Sequence, residues 1–129
     1  MESLKPQKLL LEYLNATPKE TFKRKMELEY PELAIEQIDK IAEHLKEFCS
    51  YSKGGEVLLL FPYILNNIRF VNPQISAKTA VKELWKRGFA DQAGSEERLR
   101  KMYSSWVSLE KELEEPELRK QHTPIEIER

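Results

Sequence analysis

The sequence predicts an all-α protein: a compact bundle of five or six helices followed by a flexible polar C-terminal tail. Three observations carry this. Apolar residues recur at alternating steps of three and four along most of the chain, which paints one stripe down a helix. Capping residues and Gly or Pro breaks fall between those stripes. The one stretch that also reads as a strand, 56–61, has no second strand to pair with.

The elements follow in order. Thr17-Pro18-Lys19-Glu20 has the capping-box pattern, with Thr17 as N-cap, Pro18 at the first helical position and Glu20 at the third. It predicts a helix over 18–30 with few apolar anchors (Phe22, Met26, Tyr30), suited to covering an edge. Tyr30-Pro31 ends it and starts the next. In 31–50, Ala34, Ile38, Ile41, Leu45 and Phe48 form a stripe widened by Ile35 and Ala42. Lys53-Gly54-Gly55 is a break.

Residues 57–71 are apolar on nearly all sides, which predicts the central, most buried element. Pro62 either kinks it or marks its true start. After the break at Asn72-Pro73, Ser76 stands as N-cap of a helix over 77–87 with Ala77, Ala80, Val81, Leu84 and Trp85 on one face. Gly88 to Gly94 is the next break. Ser95, followed by Glu96 and Glu97, then caps a helix whose stripe is Leu99, Met102, Trp106, Leu109 and Leu113, with Tyr103 alongside. From Glu114 the composition turns polar. The expected organisation is one helical domain over 1–113 and a tail over 114–129.

The length of 129 residues, 40% of them hydrophobic, fits a single domain. The N-terminal apolar run, Leu9 to Leu11, is followed directly by Glu12 and is too short for a signal peptide. The most apolar segment, Val57 to Leu65, falls well short of the ~20 residues that cross a bilayer. A single cysteine, Cys49, cannot form an internal disulfide, which suits a reducing compartment. A soluble cytoplasmic protein is the expectation, with no membrane partner.

Catalysis finds little support. Four glycines leave no Gly-rich phosphate loop. The only imidazole bases are His44, near Glu47, and His122, in the tail. His44 and Glu47 lie three apart on one helix face, but two ligands do not make a metal site. Cys49 reads as a small buried hydrophobe. The expectation is a non-enzymatic protein with no catalytic residues, cofactor, metal or small-molecule substrate.

Charge patterning says more. The totals, 21 Lys+Arg against 22 Asp+Glu, nearly cancel, yet residues 69–101 hold eight basic groups against four acidic. Lys78, Lys82 and Lys86 recur every four residues opposite the apolar face of their helix. Arg98 and Lys101 follow in the first turns of the next, in a helix-turn-helix-like arrangement with an unusually long connection. These five residues are the expected phosphate contacts of a regulatory or accessory factor that binds nucleic acid. The alternative is a protein-interaction module or homodimer. There Leu99, Met102, Tyr103 and Trp106 would form a docking face for a protein partner or a second copy.

Overall fold

Ser76 accepts the backbone N–H of Thr79 at 3.2 Å, and Ser95 that of Arg98 at 3.2 Å, so each caps a helix as its place in the sequence predicts. The computed structural model describes residues 4–119. Its helices are α1 (Pro6–Leu14), α2 (Phe22–Glu29), α3 (Ile35–Ser50), α4 (Phe61–Val71), α5 (Ala77–Leu84), a single turn α6 (Ala90–Ala93) and α7 (Glu96–Glu114). A 3-10 turn (Glu56–Leu60) leads into α4, and a π-turn (Trp85–Phe89) follows α5. The fold is an all-α bundle. Among the described residues one isolated antiparallel bridge, Leu33 to Leu118, is the only β feature.

The two long helices, α3 and α7, pair antiparallel and form the centre. Gln37 at the start of α3 bonds to Glu112 near the end of α7, while Arg98 at the start of α7 reaches Ser50 at the end of α3. Between them Ile38, Ile41, Leu45 and Phe48 meet Leu99, Met102, Trp106 and Leu109, all of them buried. Phe48 lies 4.9 Å from Phe61 and 5.0 Å from Trp106, and Phe61 5.5 Å from Phe89, ring centre to ring centre. Aromatic pairs at such distances add roughly 0.5–1.5 kcal/mol each beyond their burial.

This pairing corrects the expected docking face. Leu99 and Met102 are 0% exposed and Trp106 1%, so the stripe is spent inside the chain. A matching stripe on α3 covers it, and covering both intramolecularly needs no partner. Of the four residues only Tyr103 keeps part of its surface.

The 57–71 segment is not the most buried element either. Phe61, Pro62, Leu65 and Ile68 face the core, whereas Leu60, Tyr63, Phe70 and Val71 remain exposed. Too few helices surround α4 to cover its second side. Pro62 marks its start, sitting in the first turn where a missing N–H costs nothing.

At the N-terminus a further helix, α1, precedes those that the capping and stripe signals predict. Pro6 opens it, and Leu9 and Leu10 are fully buried. The capping-box stretch forms a turn, not a helix start. Thr17 Oγ1 does accept the Glu20 N–H at 2.9 Å, but the Thr17 N–H bonds back to the Glu20 carbonyl at 3.1 Å and closes the loop. Thr21 takes over as N-cap, accepting from Arg24 at 3.3 Å.

Past α7 the chain returns to the bundle. The Ala34 N–H donates to the Glu117 carbonyl at 2.7 Å, and the Arg119 N–H to the Glu32 carbonyl at 2.7 Å. The remainder of the expected tail, with His122, lies outside the described residues.

Candidate nucleic-acid interface

Helix α5 packs across α7 and leaves a groove of about 730 Å³ between them. Val81 and Val107 give it an apolar floor, Ser104 and Ser108 add hydroxyls, and Tyr103 forms part of the wall. Four cationic side chains line it: Lys78 and Lys82 from α5, Arg100 and Lys111 from α7. Glu96 and Glu97, in the first turn of α7, also line it.

The local sequence explains this assembly. On α5, Lys78 and Lys82 stand one turn apart, about 6 Å between their Cβ atoms. On α7, Arg100, Ser104, Ser108 and Lys111 repeat at steps of four and three along the side away from the Leu99–Leu113 stripe. Both helices therefore turn a polar side into the same concavity while their apolar sides face the core.

Within the groove the charges divide. Arg100 donates to Glu97 at 2.7 Å, and this hydrogen bond holds the Glu97 carboxyl below its usual range. Lys78, Lys82 and Lys111 have no ion-pair partner among the described residues. These three cations are available to an incoming anion.

The other expected phosphate contacts lie elsewhere. Lys86 lies one turn beyond Lys82, in the Trp85–Phe89 segment, where it sits 4.0 Å from Glu83 and does not line the groove. At the far side, Arg98 donates to the Ser50 carbonyl at 2.9 Å, and its guanidinium stacks over the Tyr51 ring at 5.7 Å. Lys101 lies over the same ring at 5.5 Å. Arg98 thus satisfies a carbonyl at the end of α3, where a cation also meets the negative end of the helix dipole. Arg98 is two residues from Arg100, which on a helix is more than half a turn away.

The structure therefore divides the five expected residues into three places and adds Arg100 and Lys111. Their signal was present in the sequence as the polar side of 96–113. It was obscured because two serines occupy the middle of that face.

The other chemical candidates, His44 and Cys49, do not line the groove. His44 pairs with Glu112 of α7 at 3.5 Å, not with Glu47. No group of three metal-ligating side chains occurs among the described residues. Burial pushes the Cys49 thiol up to about 11, which leaves it protonated at neutral pH. No described helix is long and apolar enough to cross a membrane.

No family of known proteins, no curated protein and no solved structure matches this chain.

Proposed function

We propose that the protein is a non-enzymatic, cytoplasmic binding factor that takes the phosphate backbone of a nucleic acid into the α5/α7 groove, in a regulatory or accessory role. The observation that supports this is the meeting of Lys78, Lys82, Arg100 and Lys111 around one concavity of about 730 Å³. Lysines and arginines held along a groove neutralise successive phosphates, and hydroxyls such as Ser104 and Ser108 are common phosphate donors. A concave groove favours a single strand over a convex duplex. The partly exposed Tyr103 ring and the apolar floor suit sugars and bases at its edge.

Fluorescence anisotropy with labelled random-sequence single-stranded RNA, single-stranded DNA and duplex DNA tests the reading. Affinity should be highest for a single strand and fall steeply with salt. The double variant Lys82→Glu, Lys111→Glu should weaken binding tenfold or more and lower the salt slope by about one per lost contact. Lys86→Glu, outside the groove, should change far less. Absence of binding at low salt, or equal binding by the groove variant, overturns the proposal.

A further inference from the structure

The outer side of α4 presents a row of exposed apolar side chains. Val57 is 48% exposed, Leu60 51%, Tyr63 62%, Phe70 85% and Val71 71%. Single exposed apolar residues are normal, but these five share one face. Val57 and Leu60 lie three apart in the 3-10 turn, which places them in line. Leu60, Tyr63, Asn67, Phe70 and Val71 then continue the row at steps of three and four along α4.

We infer that this face is the interface between two copies of the chain. Two observations select a second copy. The first is charge. Between Val57 and Ile75 the sequence holds one charged residue, Arg69, and it turns inward to Glu110 with two hydrogen bonds of 2.7 and 3.0 Å. Arg87, beside the face, donates to Asn67 at 2.7 Å and lies 3.9 Å from Glu83. Among the described side chains the patch thus carries no unpaired charge. It offers no attraction to a charged partner, and it meets no repulsion when it faces itself across a two-fold axis, where each surface must complement its own copy.

The second is area. With aromatic side chains presenting roughly 150–250 Å² each and aliphatic ones somewhat less, the fractional exposures amount to on the order of 600 Å² of apolar surface. Two such patches bury about 1,200 Å² together, the lower end of what specific stable interfaces bury. Phe70 and Tyr63 would be the anchors, since buried aromatics dominate such contacts.

Sedimentation equilibrium of the full chain from about 1 µM to about 1 mM tests this. A reversible dimer is expected. Phe70→Asp and Tyr63→Asp should each raise its dissociation constant by about 30-fold or more, the loss expected for a central aromatic anchor. Both side chains are exposed in the single chain, so the circular dichroism spectrum and the melting temperature at low concentration should be retained. Lys82→Glu, in the α5/α7 groove, should leave the dimer intact. A chain that stays monomeric throughout the range overturns the inference and leaves the face to a different protein. A dimer insensitive to both aspartate variants overturns it too, by placing the contact elsewhere.

Discussion

The side-chain oxygen of Gln37 accepts the backbone N–H of Glu117 at 2.6 Å, joining residues eighty apart in the chain. The same amide donates to the Glu112 carbonyl at 2.8 Å. Gln37 is 1% exposed, one of two buried polar residues among those described. It holds the start of α3, the end of α7 and the returning segment at one point.

Replacing Gln37 by Leu leaves the Glu117 N–H without its acceptor and removes a donor from Glu112. An unsatisfied buried group costs about 1–3 kcal/mol, so Gln37→Leu is expected to lower unfolding stability by about 2 kcal/mol. Urea denaturation gives the value. Limited proteolysis should also cut sooner after Glu114, because residues 115–119 lose an anchor. Wild-type stability and digestion would show that the backbone bonds to Glu32 and Ala34 suffice.

Arg69 and Glu110 join α4 to α7 through two parallel hydrogen bonds. Their side chains are 31% and 26% exposed, so solvent screens the pair only in part. A double-mutant cycle with Arg69→Ala and Glu110→Ala should give a coupling of about 1 kcal/mol. Arg69→Lys should keep less than half of it, since an ammonium cannot supply the two-pronged geometry. Zero coupling would identify the pair as a surface contact of no energetic weight.

Glu12 on α1 gives the protein a pH dependence. Burial first, then the hydrogen bond and charge of Glu29, push its carboxyl from 4.5 up to about 7. Its Oε1 is shut off from water. The folded state therefore holds a proton between about pH 4.5 and 7 that the unfolded chain releases. With more protons bound when folded, stability falls as pH rises across that window. Melting temperatures should drop from pH 5 to pH 8, and Glu12→Gln should flatten that part of the profile. A Glu12→Gln profile parallel to that of the wild type would assign the pH dependence to another group.

The thiol of Cys49, pushed up to about 11, is a poor nucleophile. Against an ordinary thiol at 9.0, its thiolate fraction at pH 8 is about 100-fold lower. Iodoacetamide labelling of the native protein should be slower by about that factor than labelling in denaturant. Equal rates in both states would contradict the buried environment.

Much of this architecture was legible in the sequence because it is local. Ser76 and Ser95 cap helices through bonds to residues three further on. The stripes of 31–50 and 96–113 identify core residues from periodicity alone. Thr17 shows where local reading fails: its hydroxyl makes the expected bond, but the backbone closes a turn in place of a helix. The groove was half legible. Lys78 and Lys82 lie on it as a basic ridge, whereas Lys86 sits beside Glu83 beyond its end and Arg98 and Lys101 turn to Tyr51.

The sequence by itself determined that the chain is helical, where most helices begin and end, and which side of α3 and α7 is apolar. Those properties depend on hydrogen bonds and side-chain spacing within a few residues. Tertiary structure alone decided which apolar faces find each other. Two stripes, on α3 and α7, cover one another and become core, although one of them reads as a docking face. The outer face of α4 stays open, although its composition reads as core. Burial is a property of pairs of surfaces, and the partner of each surface lies dozens of residues away.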